Sequence, residues 1–287
     1  MSSVGSHDYP DAVTTSEPVD GAAPPPAADP VTAKAPRSAA ASGRPAAQGV
    51  FITFEGGDGV GKTTQLRLLA EWLTDHGRAV VTTREPGGTV LGTELRNAVL
   101  HGDHVSPRTE ALLYATDRAH HVDTVVRPAL TRGDVVLSDR YLDSSVAYQG
   151  NGRDLGADEV ERLSLWATEG LLPDLTVLLD LDPAVGLRRL TGEPDRLERA
   201  GADFHVRTRE AFLRRAASGG DRWLVVDASA PVDHIQAAIR RRVEHLLESG
   251  SGAGSEATPT APRGSAGSKP SALGAHGTVQ HHARTAP

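Results

Sequence analysis

Residues 51–65, FITFEGGDGVGKTTQ, constrain this chain more than any other segment. Gly56, Gly61, Lys62 and Thr63 stand in the spacing G-x-x-x-x-G-K-[ST], directly after an apolar β-rich run and directly before a helical pattern. Glycine lets the backbone curl until several N–H groups face one phosphate, and the helix that follows adds its positive end. The predicted phosphate cradle is Gly56, Gly57, Asp58, Gly59, Val60, Gly61, Lys62, Thr63 and Thr64. Lys62 supplies a mobile point charge for the outer phosphates, and the Thr63 hydroxyl is placed to ligate Mg²⁺. A glycine-rich turn that merely contains a lysine would need neither the strand nor the helix. The segment reads as a site for a nucleoside triphosphate.

The remaining sequence sets the size of the domain around this loop. Residues 1–48 contain no Ile, Leu, Phe or Trp and are crowded with Ala, Pro, Ser and Gly. Residues 250–287 offer only Leu273 and Val279 as sizeable aliphatics. Such segments bury too little apolar surface to offset chain entropy, which predicts disorder at both ends. One α/β domain is expected over residues 49–249. A net charge of −7 gives no support for a nucleic-acid or membrane-surface partner, and no apolar run is long enough to span a bilayer. The N-terminal stretch carries five acidic residues, unlike an Arg-rich transit peptide. There is no cysteine, so disulfides and thiol chemistry are excluded. His281 and His282 read as solvated tail residues rather than a metal site.

Strands are predicted at 50–54, 79–83, 134–137, 175–181 and 223–226. Helices are predicted at 62–76, 93–100, 107–120, 124–132, 157–169, 185–190, 204–217 and 232–247. The alternation of continuous apolar strands with helices predicts an α/β fold of the P-loop type, a parallel sheet of about five strands covered on both faces. Ligands then belong at the carboxyl ends of the strands. No guanine-reading N-K-x-D segment occurs. A kinase needs a second anionic site facing the phosphate loop, and Arg84, Arg96, Arg118 and Arg140 are candidates, because a guanidinium fork can bind phosphate oxygens in pairs.

Beyond the phosphate loop, the segments TREPGGT at 83–89, TELR at 93–96, RTEALLYATDR at 108–118 and SDRYLDSSVAYQG at 138–150 fit one pattern. So do PDLTVLLDLDPAVGLRR at 173–189 and DRLE at 195–198. Together they resemble the bacterial thymidylate kinases, a group of P-loop nucleoside-monophosphate kinases, over nearly the whole core. The resemblance implies transfer of a phosphoryl group from ATP to dTMP with Mg²⁺, in a cytoplasmic homodimer. It implies that Tyr114 stacks on the thymine, Arg118 reads its edge, and Ser145, Tyr148 and Gln149 surround base and sugar. Arg96 and Arg140 would hold the monophosphate, Asp58 and Glu85 would lie near the sugar hydroxyl and the metal shell, and Asp139 would join Thr63 at the metal. Where some members carry an arginine in the phosphate loop this chain has Gly59, so the catalytic cation is expected from a lid, as Arg196 or, in a shifted register, Arg199. Lys62, Arg140, Arg196 and Asp58 are thus the expected catalytic set. A kinase of another pyrimidine monophosphate, or an inactive nucleotide-binding regulator, remains open on sequence alone.

Overall fold

The computed structural model describes residues 49–252. The expected N-terminal extension, most of the expected C-terminal tail and the His281–His282 pair lie outside the described residues. Five strands form one parallel sheet in the order β2-β3-β1-β4-β5, with β1 Val50–Glu55, β2 Val80–Arg84, β3 Val135–Asp139, β4 Leu175–Asp180 and β5 Trp223–Asp227. Nearly every β1 residue is buried because both of its faces are covered. Ile52 and Phe54 pack on one side with Leu66, Leu69 and Leu73 of α1 (Lys62–Asp75) and with Ile239 and Val243 of α9 (Val232–Gly252). Phe51 packs on the other side against Val126, Ala129, Tyr141 and Leu142.

The remaining helices are α2 Val90–Leu100, α3 Pro107–His121, α4 Arg127–Thr131, α5 Leu142–Ser145, α6 Ala157–Ala167, α7 Pro183–Arg188 and α8 Ala202–Ser218. Two differences from the sequence reading bear on function. The helix expected over 124–132 is a wide π-helical turn at Val122–Val126 followed by α4, because Pro128 has no N–H for the carbonyl one turn back. Residues 142–152, to which the sequence reading gave no element, form α5 and a π-helical continuation at Val146–Gly152. α2 also begins at Val90 rather than 93, since the Thr89 hydroxyl accepts from Gly92 N at 2.9 Å and caps it. Strand ends β1, β2 and β3 all point toward one edge, where the π-helical segment and α3 converge.

Candidate active site

The loop after β1 is held open by its glycines. Gly56, Gly59 and Gly61 have φ of 132°, 71° and 98°, which side chains rarely adopt. At Gly59 space forbids one as well: an added Cβ would lie 2.0 Å from the Gly186 carbonyl of α7. No arginine fits there, which gives the missing loop cation a steric cause. Lys62 turns its ammonium back onto the Gly56 and Gly57 carbonyls, at 3.3 and 2.6 Å. Burial, with Arg140 nearby, lowers its pKa to about 8. Thr63 donates to Asp139 at 3.0 Å, so the helix start and the end of β3 bring two hard oxygen donors together.

Arg140 follows β3 in the left-handed region, at φ 75°. It spans the site, with Nη1 donating to Gly56 O at 2.8 Å and Ser144 Oγ at 3.1 Å, and Nη2 to Asp58 at 2.5 Å and the Tyr148 hydroxyl at 3.2 Å. Burial pushes the Asp58 carboxyl up, but the charges of Arg140, Lys62 and His205 outweigh it and hold the group below its usual range. Beneath them lies Glu55, fully buried, accepting from Tyr141 N at 2.8 Å and Ser144 Oγ at 2.6 Å. Burial, aided by Asp143, raises it to about 8.

A cleft of about 500 Å³ opens beside the loop and is lined by Asp58, Glu85, Arg96, Tyr114, Arg118, Arg140, Ser145, Tyr148 and Gln149 among others. Every acceptor-site residue expected from sequence therefore reaches one cavity. Arg118 is buried and tied in place: Nε donates to Glu85 at 2.7 Å, Nη1 to Ser164 at 3.2 Å, and Nη2 to Tyr141 O and Ser145 Oγ at 3.3 and 3.1 Å. The other Glu85 oxygen pairs with His121 at 2.8 Å, so both of its oxygens are engaged. Arg96 donates to Pro86 O at 3.1 Å, and burial together with the neighbouring Arg84 lowers its pKa.

Residues 54–239 match the thymidylate kinase family model. The chain belongs to the thymidylate kinase family. It is 63% identical over 209 residues to a thymidylate kinase of Clavibacter michiganensis subsp. michiganensis, an alignment covering 71% of this chain and 99% of that one. A Leifsonia xyli subsp. xyli thymidylate kinase is 64% identical over 201 residues, covering 68% of this chain and 95% of its own length. Among solved structures, an Ehrlichia chaffeensis thymidylate kinase superposes with a TM-score of 0.59 at 29% identity, over 69% of this chain and 99% of that one.

Within this thymidylate kinase frame Arg196 and Arg199, the arginines expected to act from a lid, are bonded to groups other than the phosphate loop. Arg196 donates through Nε to Val99 O at 2.7 Å and pairs through Nη1 with Glu110 at 2.9 Å. Arg199 is bonded to the Pro194 carbonyl. Sequence reasoning missed Glu55, Glu110, His121 and Gly186. A signal for Glu110 existed, since it precedes Tyr114 and Arg118 by one and two i+4 steps and so shares their helix face. Gly186 carried none, because only the fold brings α7 against the loop.

That contact yields a testable expectation. A Cβ at position 186 would lie 2.4 Å from Asp58 O and push the phosphate loop. Gly186→Ala lowers kcat/KM for ATP by about 10²-fold, as an ångström-scale misplacement of reacting groups does, while the enzyme stays folded. Initial-rate kinetics beside a thermal melt check it, and an unchanged kcat/KM would contradict the close packing.

Proposed function

We propose that this member of the family phosphorylates dTMP to dTDP with ATP, and that the residues brought together here carry the reaction. The observation that carries the reading is the single cleft in which Arg140 and Asp58 of the phosphate-loop region meet Arg96, Tyr114, Arg118, Ser145, Tyr148 and Gln149. The triphosphate lies along Gly56–Thr64, with Lys62 leaving its carbonyl partners for the outer phosphates. Arg96 and Arg140 hold the acceptor phosphate, which keeps the two reacting groups in line and converts a bimolecular step into a positioned one. An acceptor phosphate oxygen bonds to the γ-phosphorus as the bond to the β–γ bridging oxygen breaks, and ADP leaves. Tyr114 covers the base and Arg118 donates to its edge. Arg196 supplies the cation for charge developing on the transferred group once the lid closes.

Thr63 and Asp139 would hold Mg²⁺. They are hard oxygen donors side by side, and Mg²⁺ in such sites takes one or two protein ligands and completes its shell with phosphates and water. Among the described residues no group of three or more His, Asp or Glu could hold a metal alone, in keeping with that partial shell. When bound, the ion neutralises phosphate charge. We further read the enzyme as a cytoplasmic homodimer. The exposed Leu112 of α3 and Trp166 of α6, on helices packed together, support the pairing. No helix among the described residues is long and apolar enough to cross a membrane.

The test is a coupled ADP-release assay with dTMP, dUMP, UMP and CMP at equal subsaturating concentration. dTMP is fastest, and dUMP is turned over measurably more slowly, since a missing methyl costs about 1–3 kcal/mol in a pocket. Faster turnover of CMP or UMP than dTMP would refute the acceptor assignment.

A further inference from the structure

We propose that Glu110 is the positioning residue that sets which hydrogen-bonding face Gln149 shows to the base. The proposal rests on the dTMP reading above and adds the reason a thymine is preferred to a cytosine.

Gln149 is buried, lines the cleft, and donates through Nε2 to Glu110 Oε1 at 2.8 Å. A side-chain amide can present either its oxygen or its NH₂ to a ligand, and the two ends differ little in shape. Its orientation is decided by the partner on its far side. Here that partner is a carboxylate, which only accepts, so the NH₂ end must face Glu110 and the oxygen is left for the cleft. Among the described residues no hydrogen bond is made to Gln149 Oε1. The cleft therefore meets an acceptor at this position.

Glu110 is itself fixed from the other side by groups that only donate. Arg153 reaches its two oxygens at 3.4 and 3.3 Å, and Arg196 Nη1 lies 2.9 Å from Oε2. Arg118 completes the pattern as an obligate donor: its five N–H groups make the four bonds described above, and one remains. A donor beside an acceptor matches the thymine edge, where a carbonyl stands beside N3–H. The cytosine edge reverses both, offering an amino group beside an unprotonated N3. Binding it would set donor against donor and acceptor against acceptor in a buried site, the arrangement that discriminates most strongly. Arg118 cannot change sense. Gln149 can, and Glu110 prevents it.

Glu110→Gln tests this. The amide introduced at position 110 has one oxygen, and Arg153 and Arg196 both require it, so its NH₂ turns toward Gln149. Gln149 then rotates its oxygen toward position 110 and its NH₂ into the cleft. The ratio of kcat/KM for dTMP to that for dCMP falls by about ten- to a hundredfold. Weakening the Arg196 contact from an ion pair to a neutral hydrogen bond affects both substrates alike and cancels in the ratio. The exchanged pair Glu110→Gln with Gln149→Glu regains the dTMP preference, because a carboxylate at position 149 accepts from the amide at position 110 and offers only acceptors to the cleft.

A folded Glu110→Gln enzyme that keeps the wild-type ratio, or loses both activities in proportion, overturns the proposal and leaves Glu110 a structural ion-pair hub. If Glu110→Gln gives no cooperative melt, the exchanged pair decides: selectivity restored supports the proposal, selectivity lost overturns it. Wild-type enzyme with no preference for dTMP over dCMP would remove the acceptor reading itself, a result visible before any variant is made.

Discussion

Arg140→Ala lowers kcat/KM for dTMP by about 10³-fold, through both a higher KM and a lower kcat. The residue bonds to the phosphate-loop carbonyl of Gly56, to Ser144, to Asp58 and to Tyr148 at once, with its guanidinium 5.0 Å from the Tyr148 ring centroid. The Arg140–Asp58 pair is half-buried, so removing one partner leaves the other charge only partly compensated by solvent. Two losses therefore coincide. The acceptor phosphate loses the forked ligand proposed above, and Asp58 keeps the smaller influence of Lys62 and His205 and the Tyr148 hydroxyl at 3.4 Å. Arg140→Lys recovers only a small part, because one ammonium cannot span four partners and a phosphate. Initial rates with dTMP varied at saturating ATP and Mg²⁺ separate KM from kcat. An Arg140→Ala enzyme with unchanged KM would show that the acceptor phosphate is held elsewhere.

The ease with which this site could be read from sequence depended on how far apart its partners lie in the chain. Buried strands were legible because β1, β3 and β4 are covered on both faces and so appear as nearly continuous apolar runs, broken only by small hydroxyl residues before their acidic ends. Their ends were not, since Glu55 and Asp139 extend the strands with acids that look like loop residues. Residues 142–152 escaped because Ser144, Ser145, Gly150 and Gly152 have turn chemistry, and their helical form comes from tertiary packing. Gly152, for example, lies where a Cβ would be 2.6 Å from the Phe204 ring. The liganding side chains stood out singly in their motifs. The pairings that aim them did not, because each joins distant segments: Glu85, itself expected at the site, with Arg118; Glu110 with Gln149; Gly186 with the phosphate loop.

Arg196→Ala lowers kcat by about 10³-fold, by analogy with arginine fingers in other phosphoryl transfers, while KM for dTMP changes far less. The need for such a cation follows from Gly59, where the Gly186 carbonyl leaves no room for a side chain in the phosphate loop. In the described structure Arg196 is docked away from that loop, on the last turn of α2 and on Glu110, and its Nη2 is buried without a partner. An unpaired buried N–H makes the docked arrangement costly. In the proposed mechanism a phosphate that offers an acceptor to Nη2 would draw the arginine off Glu110 on closure, so that the interaction would be made in the transition state and little of it in the substrate complex. Arg199, exposed and bonded to the Pro194 carbonyl, gives the control. Arg199→Ala leaves kcat within a few-fold of wild type, about the change that loss of an exposed contact produces. Near-normal turnover in Arg196→Ala with loss in Arg199→Ala would move the catalytic cation to position 199. Normal turnover in both variants would remove the lid arginine from the mechanism and leave Lys62 and Arg140 to carry the charge alone.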